Sequence, residues 1–326
     1  MYGSMSIWGY LEVPMMNKST QALSRRQFMR GLGLLSAGIV LMPKNIFGES
    51  GQPITRAIPS TGEPIPVIGM GTSRTFDVGN DPAGMAQLSK VLQVFFDNGG
   101  VLIDSSPMYG SAERVVGELL KTVPNKKKLF AATKVWTDGK QNGIDQMRES
   151  MRLMGVAVMD LIQIHNLRDW KTHLPTLRQW KQEGKIRYIG ITTSHGRYHA
   201  ELMQIMRTED LDFVQFTYNI GSRTVEDSLL PLAADRGMAI LINRPFQRGA
   251  LFRKVKGQAL PEWAREFDCQ SWGQFFLKFI VSHPAVTCAI PATSNVNHMM
   301  DNMAANFGKL PSPSMRKRML QYFTEL

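Results

Sequence analysis

The sequence Val-Leu-Ile-Asp-Ser-Ser-Pro-Met-Tyr-Gly, residues 101–110, joins a short apolar run to a group of polar side chains. The run is too short for a helix and is typical of a buried strand. A carboxylate, Asp104, follows it directly, and a phenol, Tyr109, lies in the loop that comes next. Strands that end in chemically useful side chains are typical of parallel α/β folds, in which active sites lie at the carboxyl ends of the strands.

The same strand pattern recurs along the chain. Eight apolar runs are strand-like: residues 67–70, 101–103, 129–132, 161–164, 188–191, 213–216, 239–242 and 286–289. Helical stretches alternate with them: residues 82–98, 111–121, 141–154, 174–183, 199–206, 224–235, 271–281 and 295–305. Eight repeats of strand and helix over about 240 residues predict a (β/α)8 TIM barrel, because a doubly wound sheet normally has fewer strands.

Residues 54–66, which precede the first of these strands, contain the turn sequence Thr-Gly-Glu at 61–63. They predict a small N-terminal β-hairpin. We expect this hairpin to close the bottom of the barrel, opposite the end that carries the active site.

Four polar residues follow three consecutive strands of the predicted barrel. Asp104 and Tyr109 follow the second strand, Lys134 ends the third and His165 ends the fourth. The carboxyl ends of the strands form one rim, so these side chains should converge. A phenol has a pKa of about 10, and a neighbouring ammonium that stabilises the phenolate makes it an effective acid or base. Lys134 can supply that cation, Asp104 can hold it, and His165 can hydrogen-bond a substrate oxygen.

Composition excludes several classes of protein. The chain has 326 residues and a net charge of +11, but its basic residues are scattered and do not interleave with aromatic ones, so we predict no nucleic-acid partner. Cysteine and histidine do not cluster with metal-ligand spacing, so we predict no metal site. The two cysteines, Cys269 and Cys288, exclude a disulfide framework but leave one bridge open.

The N-terminal segment has the features of a targeting signal. Arg25 and Arg26 precede a short apolar run at residues 31–42, and polar residues follow at 48–50. This arrangement resembles a twin-arginine signal peptide, and the run is too short to span a bilayer by itself. We therefore predict that residues 1–50 are a signal peptide with an n-region extension and that residues 51–326 form the barrel domain. We also expect the twin-arginine export machinery to deliver the protein to the periplasm, with no stable membrane span after processing.

Further motifs accompany the four rim residues. They are residues 104–113 with Gly117, Thr133 beside Lys134, Gln215, Tyr218 with Asn219, residues 290–294, and Asp301 with Asn302. With these motifs, most of residues 53–310 resembles the aldo-keto reductase family. The resemblance implies that Asp104, Tyr109, Lys134 and His165 form the catalytic tetrad of an oxidoreductase. It also implies a small carbonyl or alcohol substrate and a nicotinamide dinucleotide cofactor bound without a Rossmann domain.

The resemblance further implies a set of cofactor contacts along the later strands. Thr192, Thr193 and Gln215 correspond to the residues that contact the nicotinamide amide, where the family usually has Asn in place of Thr193. Asn243 stands where the family often has a tyrosine that stacks on the nicotinamide. The predicted pyrophosphate contacts are Arg244, Pro245, Gly249 and Leu251, because a guanidinium and flexible backbone amides suit phosphate oxygens.

The adenosine phosphate is expected at the start of the last predicted helix, where backbone amides and hydroxyls are available. The predicted contacts there are Thr293, Ser294, His298 and Asn302. Family members that select strongly for the 2′-phosphate usually have Lys and Arg where this chain has Ala292 and His298. The resemblance still favours NADP(H) over NAD(H), although this chain lacks those two cations.

Two functions of different classes remain open at this point. The first is an oxidoreductase that moves hydride between NADP(H) and a carbonyl/alcohol pair. The second is a cofactor-binding sensor or partner protein that keeps the barrel and turns over slowly or not at all. The complete tetrad favours the first, whereas the departures at Thr193 and Asn243 leave room for the second.

Overall fold

The computed structural model describes residues 51–124, 126 and 129–326, so the predicted signal peptide lies outside the described residues. An N-terminal hairpin pairs β1 (Thr55–Ala57) with β2 (Pro64–Pro66) in antiparallel register. The barrel strands follow: β3 (Met70–Gly71), β4 (Leu102–Asp104), β5 (Phe130–Val135), β6 (Met159–His165), β7 (Ile186–Thr192), β8 (Phe213–Thr217), β9 (Ala239–Asn243) and β10 (Cys288–Ala289).

Helices alternate with these strands and form the outer layer. They are α1 (Pro82–Asp97), α2 (Ala112–Thr122), α3 (Lys140–Met154), α4 (Trp170–Gln182), α5 (His199–Thr208), α6 (Leu229–Asp235), α7 (Ala250–Lys254), α8 (Trp272–Val281), α9 (Val296–Ala304) and α10 (Pro313–Glu325). Helix α6 is shorter than predicted, because residues 224–228 form turns in which Glu226 N donates to Arg223 O and Ser228 N donates to Val225 O. Helix α10 was not predicted.

The eight barrel strands are parallel and pair in sequence order from β3 to β10. Single bridges between Ile68 and Ala289, and between Gly71 and Ala292, connect the first and last strands. In one of these connections Gly69 N donates to Ala289 O over 2.9 Å. The predicted (β/α)8 barrel is therefore confirmed.

Strand alternation explains which side chains enter the barrel. In β6, Leu161 belongs to the inner apolar cluster, while Ile162 and Ile164 belong to the cluster between the strands and the helices. Side chains two apart on a strand share a face, so Gln163 and His165 also point inward. The inward-facing residues are thus apolar at the start of the strand and polar at its carboxyl end.

The hairpin closes the bottom of the barrel, as predicted. Ile58 and Ile65 are fully buried and belong to the inner cluster together with Tyr188 from β7. The Tyr188 hydroxyl lies 2.8 Å from Thr61 Oγ1 and donates to the Glu63 carboxylate over 2.6 Å. These contacts fasten the hairpin turn to the barrel wall and leave the opposite rim as the open end.

Cys269 and Cys288 are both buried and free, so the disulfide that the sequence left open is not formed. Within the described part of the chain, no helix is long and apolar enough to cross a membrane. The same residues contain no group of three or more histidine, cysteine, aspartate or glutamate side chains that could hold a metal ion.

Candidate active site

A buried ion pair lies at the centre of the open rim. Lys134 Nζ donates to Asp104 Oδ2 over 2.5 Å and to the Ser105 carbonyl over 2.6 Å, and both charged side chains are almost completely buried. Burial lowers the pKa of Lys134, but Asp104 and Tyr109 raise it more, so the net shift is upward. Lys134 is therefore a fixed cation inside the barrel mouth.

The second oxygen of Asp104 is held by two amides. Gln163 Nε2 and Gln215 Nε2 both donate to Asp104 Oδ1, over 2.9 and 3.1 Å. Gln215 was predicted as a cofactor contact, whereas Gln163 was not predicted at all. A signal for Gln163 exists in the sequence, because it is a polar residue two positions before His165 on an inward-facing strand.

The Tyr109 ring lies above the ion pair, and its centroid is 5.2 Å from Lys134 Nζ. It packs edge-on against His165, with ring centroids 5.9 Å apart. Burial raises the pKa of Tyr109 and so does Asp104, whereas Lys134 and Arg244 lower it, and the net shift is upward. Lys134 thus acts in the predicted direction, but without outweighing the cost of burying a phenolate.

His165 is a neutral imidazole. Burial and the nearby charge of Lys134 lower its pKa to about 3. Its Nδ1 atom lies 3.0 Å from the hydroxyl of Ser106, which the sequence did not single out. The structure therefore brings all four predicted rim residues together, with His165 available as a hydrogen-bonding group and not as a cation.

The residues predicted at the nicotinamide form one hydrogen-bonded network. Thr192 Oγ1 donates to Gln215 Oε1 over 3.2 Å, and Asn243 Nδ2 donates to Thr193 O over 2.9 Å. Asn243 Oδ1 accepts from Thr217 Oγ1 over 2.7 Å. The Asn243 amide is thus fixed on both sides and continues the polar inner face of the strands.

The predicted pyrophosphate contacts lie in the loop after β9. Arg244 is half-buried with a φ of 49°, and its pKa is lowered by burial, by Arg248 and by Arg74. In the described part of the chain, Arg244 and Arg248 have no ion pair within 4 Å. Pro245 and Leu251 are buried beside them, and Gly249 has a φ of 85°.

The predicted adenosine contacts lie at the amino end of α9, after the last strand. Thr293 Oγ1 accepts from Asn295 N, and Asn295 Oδ1 accepts from His298 N over 3.1 Å, so the helix is already capped. The side chains of Ser294 and His298 are exposed, whereas Asn302 is buried. Unpaired guanidiniums and a helix amino end on one rim suit the phosphates of a dinucleotide.

The described architecture agrees with that of known proteins. The family model for the aldo/keto reductase family matches residues 67–317, which is most of the chain. The chain belongs to the aldo/keto reductase family. It is therefore an NAD(P)H-dependent oxidoreductase, and the family predicted from the sequence is confirmed.

Individual relatives of this aldo/keto reductase support the assignment. Methylglyoxal reductase YeaE of Escherichia coli is 27% identical over 248 residues, which cover 74% of this chain and 85% of the relative. The NADH-specific methylglyoxal reductase of the same organism is 27% identical over 237 residues, covering 61% and 69%. An aldo-keto reductase from Klebsiella pneumoniae, solved in complex with NADPH, superposes with a TM-score of 0.69 at 23% identity, covering 83% of this chain and 95% of that one.

Proposed function

We propose that this enzyme transfers hydride between NADP(H) and a carbonyl/alcohol pair, with Tyr109 as the general acid or base. The observation that carries this proposal is the buried Asp104–Lys134 ion pair directly below the Tyr109 ring. A buried cation beside a phenol stabilises the phenolate, which is the form that the phenol takes after it gives up its proton.

In the reducing direction a reduced nicotinamide, when bound, supplies the hydride to the carbonyl carbon. The Tyr109 hydroxyl gives its proton to the carbonyl oxygen, and Lys134 stabilises the phenolate that remains. Asp104 keeps Lys134 in place, so the cation needs no reorganisation during the reaction. His165 donates a hydrogen bond to the same oxygen and orients the carbonyl beside the phenol.

Small reactive aldehydes are the first substrates to test. Two relatives act on methylglyoxal according to their names, which supports a compact carbonyl compound here. Loops around the rim shape the substrate pocket, and they are the parts of the fold that vary most between relatives. A panel of aldehydes and ketones with NADPH and with NADH therefore tests the substrate class directly.

The variant Tyr109→Phe tests the mechanism. We expect turnover to fall by about 10²-fold or more, because the proton donor is lost without a change of ring shape. Cofactor affinity, measured by the quenching of protein fluorescence, should stay near that of the wild type. Near-normal turnover on the best substrate would remove Tyr109 from the mechanism.

NADP(H) is the proposed cofactor, with His298 beside the 2′-phosphate and with Arg244 and Arg248 near the pyrophosphate. The NADPH-bound neighbour supports this choice, whereas the NADH-specific relative shows that the family accepts both cofactors. Titrating NADPH and NADH against the wild type and His298→Ala measures the preference between the two cofactors. A ratio of affinities that the substitution leaves unchanged would exclude His298 from the 2′-phosphate site.

A cofactor-binding sensor with slow turnover is the second candidate. Asn243 supports it, because its amide is engaged in three directions and presents no aromatic face to the nicotinamide. Single-turnover oxidation of bound NADPH by a reactive aldehyde separates the two candidates. Rapid oxidation supports the enzyme, whereas an unreacted bound cofactor supports the sensor.

We also propose that residues 1–50 direct export to the periplasm by the twin-arginine route. The pair Arg25 and Arg26 before a short apolar run supports this assignment. The mature chain should then begin near residue 50. N-terminal sequencing of exported protein is the measurement, and a mature chain that still contains Arg25 would contradict it.

A further inference from the structure

The hydroxyl of Ser106 lies between two hydrogen-bonding partners in the active site. Its Oγ is 3.0 Å from Nδ1 of His165 and accepts a hydrogen bond from the backbone N–H of Met108 over 3.2 Å. Ser106 is fully buried, and His165 is only 4% exposed. The two residues come from different strands, since Ser106 follows β4 and His165 ends β6.

The protons of this group can be assigned by counting donors and acceptors. A serine hydroxyl has one proton, and Met108 N–H already occupies one of the lone pairs of Ser106 Oγ. Among the described residues, the only other hydrogen-bond partner of Ser106 Oγ is Nδ1 of His165. If Nδ1 carried the proton instead, the serine proton would be buried without an acceptor, at a cost of about 1–3 kcal/mol.

We propose that Ser106 donates to Nδ1 of His165 and thereby fixes the tautomer in which Nε2 carries the proton and faces the substrate oxygen. This inference rests on the proposed function. Nε2 has no hydrogen bond to any described residue, so it is free to donate. The ring plane is set by Tyr109, at 5.9 Å and 90°, and by Trp136, at 6.5 Å and 58°.

The tautomer matters because the imidazole is neutral and has only one N–H. With the proton on Nε2, the ring donates to the carbonyl oxygen that Tyr109 protonates. With the proton on Nδ1, a lone pair of Nε2 would face the lone pairs of that oxygen and repel them. Ser106 is therefore a positioning residue, which acts on the substrate only through His165.

Nitrogen NMR of the full enzyme labelled with ¹⁵N-histidine tests the assignment without relying on activity. The chain has six histidines, and His165→Gln identifies the signals of His165 by their loss. We expect the wild type to show Nδ1 without a proton and Nε2 with one across neutral pH. A proton on Nδ1 would overturn the proposal, and this spectrum decides the matter even if Ser106 variants do not fold.

Ser106→Ala should shift the Nδ1 signal and lower kcat/KM for carbonyl reduction by about 10-fold, because a buried nitrogen loses its only partner. Ser106→Thr keeps the hydroxyl and should restore both. Ser150→Ala is the matched control, since Ser150 is also fully buried but donates to Glu113. Unchanged His165 signals in Ser106→Ala would refute the role of Ser106. Inactivity of the wild type toward all carbonyls would instead refute the proposed function and leave the tautomer assignment intact.

Discussion

At the scale of single residues, the active site is organised by the cost of burying charge. One cation, Lys134, is kept inside the barrel because Asp104 and a backbone carbonyl surround it. Burial and the charge of Lys134 both lower the pKa of His165 and keep its imidazole neutral. At Tyr109 they act in opposite directions, because burial raises the pKa of the phenol and Lys134 lowers it. The phenol is thus a weak acid at rest, and its acidity depends on a single neighbouring ammonium.

In the proposed mechanism Tyr109 must be a phenolate for alcohol oxidation, so this balance predicts how the oxidation rate depends on pH. Burial raises the pKa of Tyr109 above its ordinary value of 10, so the oxidation rate should climb with pH toward 10 and beyond. Lys134→Met removes the opposing cation, and the residual profile should therefore move to still higher pH. Because the pKa of His165 is about 3, no step from His165 should appear between about pH 5 and 8.

The measurement is kcat/KM for the best alcohol as a function of pH, in the wild type and in Lys134→Met. Lys171→Met, which removes an exposed lysine, is the control for a simple loss of charge. A Lys134→Met profile that coincides with that of the wild type would show that Lys134 does not tune Tyr109.

The sequence was sufficient for the four rim residues because each one follows an apolar run in a regular series. It was not sufficient for Ser106 and Gln163, whose roles depend on contacts between strands that are far apart in the chain. Nor could it give the direction of the Tyr109 pKa, since burial and charge act in opposite directions and only the packed structure decides between them.

At the scale of elements, strands and most helices follow from periodicity, whereas rim loops do not. Seven of the eight non-glycine residues with positive φ lie in loops after barrel strands: Arg74, Asn166, Leu167, Asp169, Arg244, Gln247 and Arg248. Such conformations cost of order 1–3 kcal/mol each and concentrate at functional sites. Asn166 and Asp169 belong to residue types that often adopt a positive φ, but arginine, leucine and glutamine rarely do. The sequence therefore did not predict the backbone conformation of most of these loop residues.

Helix α10 was also missed, although the buried residues Met319 and Phe323 recur at a helical interval of four. Arg316 fastens this helix to the barrel. Its guanidinium donates to the Tyr218 hydroxyl over 2.7 Å, pairs with Glu226 over 3.1 Å and stacks on Phe279, with 4.3 Å to the ring centroid. One residue thus joins α10 to α8 and to the segment after β8.

Arg316→Met should lower the free energy of unfolding by about 2–3 kcal/mol, because Glu226 and Tyr218 lose the mostly buried guanidinium that they share. Urea denaturation followed by circular dichroism measures the loss. Arg318→Met is the matched control on the same helix: its contact with Glu266 is longer, at 3.7 Å, and both partners are about half exposed. That variant should lose less than about 1 kcal/mol. Equal losses in the two variants would mean that the Arg316 network does not stabilise the fold.

At the scale of the whole molecule, the active site exists only when the barrel is complete. Its side chains come from all six strands from β4 to β9, and the barrel closes through bridges between the first and last strands. The proposed phosphate contacts reach as far as α9. A dinucleotide therefore has no site to bind on a partly folded chain. Cys269 and Cys288 are both buried and free, so they form no disulfide that could support folding after export.

Because the cofactor can bind only to a complete barrel, the proposed function of an exported enzyme requires an export route that carries folded proteins. Nicotinamide dinucleotides are cytoplasmic, so an exported enzyme must fold and bind its cofactor before it leaves. Replacing Arg25 and Arg26 together by Lys keeps the charge but removes the arginine pair, and the active enzyme should then accumulate in the cytoplasm. Cell fractionation with activity assays of each compartment measures this, and Arg30→Lys, outside the pair, is the control that should still be exported. Equal periplasmic activity from the double variant would show that residues 1–50 do not use the arginine pair, and the cofactor would then have to be acquired in another way.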